Sequence, residues 1–231
     1  MSQLTKPEPM DVFFNSRVSG YEDHMKENKL FEAEKMQLAE AFEATEKPVQ
    51  ILDLGCGTGL EIEYILQRVP NARFICVDFA VEMLKLLKLK YQSLLNQLEI
   101  VQASYLDYDF GRNWYDYVVA AATMHHWLPK TKLLLYQRIW ESLKPGGRFI
   151  NDDYMVPVDQ ENAALDHYLQ LRECGLIEDG KFYHVDIPFS VGTERQILAE
   201  AGFRDVRVVY EHYGENHCHA LIVGVKEVLV D

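Results

Sequence analysis

The feature that most constrains this chain is the run Val49-Gln50-Ile51-Leu52-Asp53-Leu54, which passes directly into Gly55-Cys56-Gly57-Thr58-Gly59. An apolar run of that length ending in glycines reads as a strand buried on both faces. The three alternate glycines make a backbone turn with no large side chains in the way, and residues 60–69 return to helical spacing before Pro70-Asn71. A strand, a glycine turn and a helix in succession let a ligand lie against the main chain at a helix N-terminus. The pattern then repeats, with strands expected at 73–78, 98–103 and 115–121 and helices at 81–95 and 132–143. A fifth strand is expected at 147–151, behind Lys144-Pro145-Gly146-Gly147. Such alternation implies βαβ units and a parallel sheet.

The flanks depart from that rhythm. Residues 29–45 place Leu30, Ala33, Met36, Ala39 and Phe42 three apart, which predicts one apolar stripe along a helix ended by Pro48. Residues 152–190 predict an inserted lid: 159–173 is helical in pattern, whereas 175–190 is irregular and carries Tyr183, His184, Asp186 and Pro188. Thr193-Glu194-Arg195-Gln196 fits a capping box for a helix ending at Gly202. Residues 206–213 and 219–225, joined by Gly214-Glu215-Asn216, predict an antiparallel hairpin at the end of the sheet. The expected organisation is an N-terminal helical cap, 1–46, followed by one ligand-binding domain, 47–231.

Charge narrows the partners. Acidic residues number 36 against 23 basic ones, for a net charge of -13 with no Lys/Arg cluster. Such a surface repels a phosphate backbone, so a small-molecule partner is favoured and nucleic acid disfavoured. Cys56, Cys76, Cys174 and Cys218 are scattered without a C-x-x-C pair, which suits reduced thiols. The N-terminal residues 1–11 contain no apolar core of a signal peptide, and no run approaches a membrane span, so the expected location is cytoplasmic. The pattern leaves oligomeric state open, with a homodimer as one expectation.

The glycine turn differs from a dinucleotide fingerprint. A pyrophosphate-binding G-x-G-x-x-G/A would place Gly or Ala where this chain has Leu60. Asp53, two residues before the first glycine, suits a cationic amino group better than a phosphate. Asp78 ends the next strand, where a carboxylate accepts both hydroxyls of a ribose, although Asp there also caps a helix. In order along the chain, Ile51 to Gly59, Val77-Asp78, Tyr115-Asp116-Tyr117-Val118-Val119 and Leu143 to Phe149 resemble the landmarks of class I S-adenosylmethionine-dependent methyltransferases. The resemblance covers about residues 45–152 and implies a three-layer α/β/α Rossmann-like fold. Its seven-stranded sheet would be mostly parallel with an antiparallel last strand. It also implies S-adenosylmethionine as cofactor, contacted by Asp53, Gly55, Cys56, Gly57, Asp78, Phe79, Met83, Ser104, Tyr105 and Ala121. Ser104 stands where the family often has Asp, so a hydroxyl, a backbone group or Asp107 would serve the adenine amino group.

Methyl transfer from a sulfonium is an in-line displacement, so the protein must align the acceptor, exclude water and, where needed, take a proton. In Thr123-Met124-His125-His126-Trp127, after the fourth strand, His126 is the expected general base or acceptor-positioning group. Asp153, with Asp152 and Tyr154, would border the same crevice from a loop after the fifth strand, and Tyr21 belongs to a segment that in related enzymes closes over the methionine end. His217 and His219 share a strand face and could join His125 or His126 on a metal, but their spacing is loose and no metal is expected. A more distant resemblance, in the lid, at Ala201-Gly202-Phe203 and in the hairpin, is to the carboxy-S-adenosylmethionine synthases of tRNA wobble-uridine modification. That chemistry needs an arginine near the sulfonium, with Arg172 and Arg195 as candidates. A tRNA-modifying methyltransferase and a non-catalytic S-adenosylmethionine-binding module are further alternatives.

Overall fold

A computed structural model describes residues 4–214 and 218–228. Glu215, Asn216 and His217, hence much of the hairpin connection and one suggested metal ligand, lie outside the described residues. The seven strands are β1 (Gln50–Leu54), β2 (Arg73–Asp78), β3 (Leu98–Gln102), β4 (Tyr115–Ala121), β5 (Leu143–Met155), β6 (Arg204–Tyr213) and β7 (Cys218–Val225). They form one sheet in the order β3-β2-β1-β4-β5-β7-β6. β1 to β5 pair in parallel, whereas β7 runs antiparallel to both β5 and β6. The chain reverses its winding between β1 and β4, so the crevice at their carboxyl ends is where an α/β sheet of this kind takes a ligand.

The helices are α1 (Met10–Arg17), α2 (Tyr21–Lys26), α3 (Phe31–Glu40), α4 (Ile62–Arg68), α5 (Val81–Lys90), α6 (Pro129–Ser142), α7 (Glu161–Glu173) and α8 (Val191–Glu200). One apolar layer joins Leu52, Leu54, Val118, Tyr136, Phe149 and Phe203, and the opposite layer joins Leu38, Phe42, Ile51, Ile62, Phe74 and Ile150. Ile51 and Leu52 enter opposite layers, as strand alternation requires. α1 to α3 precede the sheet; α1 packs on α5 and α3 on α4.

Four local expectations are corrected. The buried face of α3 carries Phe31, Glu34, Lys35, Leu38 and Ala39, while Met36 is 54% exposed. A strict three-residue spacing falls 60° behind per step at about 100° per residue, so the Leu30–Phe42 series walks around the helix instead of holding one face. β5 extends to Met155, which moves Asp152 and Asp153 out of the supposed loop and into a central strand. The lid therefore starts after Met155. Finally, α8 is capped by Ser190, whose Oγ accepts from the Thr193 N–H at 3.3 Å. Glu194, next to the expected N-cap Thr193, is fully buried, paired with Lys132 and accepting from the Tyr136 hydroxyl at 2.9 Å.

The lid has a small core of its own, Leu171, Ile177, Tyr183, Val185, Ile187 and Phe189, on which Leu4 and Leu128 pack. Backbone bonds tie it down on both sides: Met10 N–H donates to Phe182 O (3.0 Å), His184 N–H to Glu8 O (2.9 Å), and Ile187 N–H to His125 O (2.7 Å). The N-terminal segment and the lid thus form one cover over the carboxyl ends of β4 and β5.

Candidate active site

The glycine turn is built for close approach. Gly55, Gly57 and Gly59 all have positive φ, at +71°, +50° and +68°, a region that other residues enter only at a cost. A Cβ on Gly55 would stand 2.5 Å from Thr123 Oγ1, so β1 and the loop after β4 touch only because that side chain is missing. Gly57 is different, because a Cβ there would meet nothing within 4 Å and would project into open space. Asp78 fixes the turn, accepting from Gly57 N–H (2.9 Å) and Ala80 N–H (2.7 Å). Its burial pushes the carboxyl pKa up, and those two N–H groups oppose the shift.

Beneath the turn, both carboxyl oxygens of Asp53 are buried without a hydrogen-bond partner, as are Glu61 Oε1 and Thr58 Oγ1. Burial, and then the neighbouring Glu61 carboxylate, raise the Asp53 pKa well above its ordinary value. Buried carboxyls without partners are costly, and a cation set among them relieves that cost. Glu61 lines a small cavity with Gly55, Cys56, Gly57, Thr58, Ala121 and Tyr21. Sequence reasoning missed it, although an acid two residues after Gly59 was visible.

The other expected cofactor residues are spread around this turn. Phe79, at the end of β2, packs edge-on to Phe14 of α1, with centroids 6.5 Å apart. Met83 is buried in the first turn of α5. Ser104 Oγ accepts from Leu106 N–H at 3.2 Å, and Asp107 is exposed. The Tyr105 hydroxyl is committed inward, to Thr123 Oγ1 (2.8 Å) and the Trp127 indole N–H (2.6 Å). That strut holds the β4 loop against Gly55, and leaves the backbone as what Tyr105 offers a ligand.

Beyond Ala122 opens a cavity of about 610 Å³, lined among others by Phe14, Arg17, Tyr21, His125, His126, Tyr154, His184 and Asp186. Ala122 has φ +51° without being glycine, backbone strain of the kind that gathers at functional sites. It borders this cavity, the small one at the glycine turn, and a third of about 370 Å³ beside Lys35, Tyr154 and His219. Tyr21 lines the first two, under α2, whose N-cap Gly20 is left-handed at φ +86°. Its phenol pKa is pushed up by burial and by Glu61.

Asp152 and Asp153 are adjacent on β5 and therefore serve opposite faces of the sheet. Asp152 is paired with the buried Lys35 of α3 at 2.7 Å and lies 3.4 Å from His219 Nε2. Asp153 Oδ1 lies 2.6 Å from His125 Nδ1 and accepts from Tyr154 N–H. Burial would lower the His125 pKa, but the charge and hydrogen bond of Asp153, helped by Asp186, raise it to about 9. His126 moves the other way, to about 4, because of its burial and the charge of His125. The structure thus brings His126 and Tyr21 to one cavity and sets Asp153 behind His125. His125, His184, Asp186 and Arg17 are the wall residues that sequence reasoning did not select, although His184-x-Asp186 in the lid was the available signal. Arg172 is instead paired with Asp179, and Arg195 lies on α8. Neither borders the cavity.

A doubly wound sheet with a glycine turn, a strand-end aspartate and an adjoining cavity is the architecture in which an α/β sheet takes a nucleotide-like ligand at its switch point. Residues 51–147 match the family described as methyltransferase domain. Over that segment, less than half of the chain, the protein is similar to class I S-adenosylmethionine-dependent methyltransferases. It is 26% identical over 215 residues to a carboxy-S-adenosyl-L-methionine synthase of Wolinella succinogenes, covering 85% of this chain and 88% of that one. It is 33% identical over 120 residues to a trans-aconitate 2-methyltransferase of Deinococcus radiodurans, covering 52% of this chain and 42% of that one. Among solved structures, Haemonchus contortus phosphoethanolamine N-methyltransferase 2 in complex with S-adenosyl-L-methionine superposes with a TM-score of 0.68 at 15% identity, covering 94% of this chain. This chain spans 58% of the length of that structure. The buried acids and the open face of Gly57 would fit a cationic amino group and a ligand lying close to the main chain.

Proposed function

We propose that this protein transfers a methyl group from S-adenosylmethionine to a small-molecule acceptor held in the 610 Å³ cavity. The observation that carries this reading is the placement of Tyr21 and Ala122, which line both that cavity and the one at the glycine turn. The cofactor supplies an electrophilic methyl on its sulfonium. Asp53 and Glu61 would face its ammonium, Gly55, Cys56, Gly57 and Ala121 its methionine part, Asp78 and Phe79 its ribose side, and Met83, Ser104 and Tyr105 its adenine. His126, neutral near pH 7, can accept a proton from the acceptor or hold it in line. Asp153 is a positioning residue that acts through His125, fixing which ring nitrogen faces the cavity. Tyr21 closes the cavity over the methionine end, and the lid excludes water. The net charge of -13 and the scattered cysteines support a small-molecule partner, no nucleic acid and a cytoplasmic setting, with a homodimer consistent with both. No helix among the described residues is long and apolar enough to cross a membrane. Replacing His126 by Ala tests the assignment: a large loss of turnover with S-adenosylmethionine binding retained supports it, and unchanged turnover removes His126 from the mechanism.

A second reading, carboxy-S-adenosylmethionine synthesis, is favoured by one observation. Arg17 lines the cavity, which supplies the arginine that Arg172 and Arg195 do not. Mass analysis of the nucleoside released from protein purified from cells separates the two, since a carboxymethyl sulfonium has a different mass from a methyl one.

A further inference from the structure

The wall of the large cavity carries a cluster that acceptor positioning alone does not need. Asp186 Oδ1 lies 3.2 Å from His126 Nδ1 and 3.5 Å from His125 Nε2, and the three ligand atoms all fall within 4.8 Å of one another. An ion bound tetrahedrally at about 2.0–2.1 Å to each ligand separates its ligand atoms by about 3.3–3.4 Å, which the two contacts to Asp186 match. The far nitrogen of His125, Nδ1, is held at 2.6 Å by the buried Asp153. A carboxylate behind a histidine in that way fixes its tautomer and raises its basicity as a ligand. The backbone bonds of His184 and Ile187 hold the lid segment on both sides of Asp186. A fourth group, His184 Nε2, stands 3.9 Å from Asp186 Oδ1 and is stacked on Phe13.

We propose that His125 Nε2, His126 Nδ1 and Asp186 Oδ1 form a binding site for one divalent transition-metal ion of the zinc and cobalt class. Three protein ligands leave a coordination position open toward the cavity, the arrangement of a site that takes an outside ligand. Two carboxylates, Asp153 and Asp186, face this pair of imidazoles, so the local charge favours a cation. On the transferase reading, the open position would hold an oxygen of the acceptor, and His126 would position the acceptor through the ion rather than by taking its proton. That last step rests on the proposed function, whereas ion binding does not.

The test uses the whole protein, stripped with a chelator and titrated with Co²⁺ by visible absorption and with Zn²⁺ by calorimetry. The expected result is one ion per chain with the d–d bands of a tetrahedral site, bound at least tenfold more weakly by Asp186→Asn. Asp153→Asn is expected to weaken binding about 10–100-fold. Unchanged S-adenosylmethionine affinity in Asp186→Asn shows that this variant is folded. No Co²⁺ band and no Zn²⁺ heat from the wild type would overturn the proposal and leave a proton-bridged cluster. Equal binding by the wild type and Asp186→Asn would overturn it as well. An ion bound without methyl transfer to any acceptor would sink the transferase reading alone.

Discussion

Two alanine substitutions two residues apart in the same turn should behave in opposite ways. Gly55→Ala places a Cβ 2.5 Å from Thr123 Oγ1, and Thr123 cannot step aside freely because it is bonded to the Tyr105 hydroxyl, which the Trp127 indole N–H holds in turn. The left-handed backbone costs an alanine about 1 kcal/mol and overpacking adds about 1–3 kcal/mol. A domain of this size loses about 2–4 °C in Tm per kcal/mol, so Gly55→Ala should melt on the order of 10 °C lower. Gly57→Ala carries the backbone cost alone, about 1 kcal/mol, because its Cβ meets nothing. Its methyl group instead occupies the ligand face, and S-adenosylmethionine should bind at least tenfold more weakly, about 1.4 kcal/mol. Differential scanning calorimetry of the ligand-free proteins and titration calorimetry with S-adenosylmethionine read the two effects separately. A Gly57→Ala protein that melts as low as Gly55→Ala, or that binds the cofactor like the wild type, would refute the reasoning.

Other outcomes follow from the same geometry. Lys132→Ala strands the buried Glu194 carboxylate and should cost about 3–5 kcal/mol in denaturant unfolding; a loss under 1 kcal/mol would show that the pair is not buried in solution. Ala122→Gly relieves a left-handed alanine and should leave the melting temperature unchanged or raise it by a few degrees, whereas a fall would deny the strain. In chelator, stability should peak near pH 6.5. His126, lowered to about 4, holds fewer protons folded than unfolded, so its contribution grows as pH rises from about 4 to 6.5. His125, raised to about 9, holds more, so its contribution is complete below pH 6.5 and is lost as pH climbs through about 9. Each amounts to about 3–4 kcal/mol. His125→Asn should flatten the alkaline limb, and an unchanged limb would assign it elsewhere.

The sheet was legible because its strands carry their own record. Ile51-Leu52, Ile75-Cys76-Val77 and Val118-Val119 are apolar on both faces, and the glycines between β1 and α4 have no other economical use. The β5 acids were not legible as strand residues, since a polar pair resembles a loop until its partners are known. Asp152 is neutralised by Lys35, far back in the chain, and Asp153 by His125. The same blindness hid the true face of α3, where the buried Glu34 and Lys35 look like solvent residues by type. Glu194, between the Thr193 and Gln196 that read as a capping box, is in fact a buried partner for Lys132. On the site itself, local motif and spacing singled out Asp78, Gly55, Gly57 and His126 as candidates, and the structure sets the first three at the glycine turn and His126 on the cavity wall. The lid residues His184 and Asp186 reach the cavity only through backbone pairing with residues 8–10 and with His125, which no local pattern announces.

Every role in methyl transfer proposed above depends on the turn from Asp53 to Gly59 seating S-adenosylmethionine. Titration calorimetry of S-adenosylmethionine and of NADH into the purified protein, alongside Asp78→Ala, tests it most directly. Saturable one-site binding of S-adenosylmethionine, lost in Asp78→Ala and absent with NADH, is the expected result; binding of NADH with no heat from S-adenosylmethionine would contradict it.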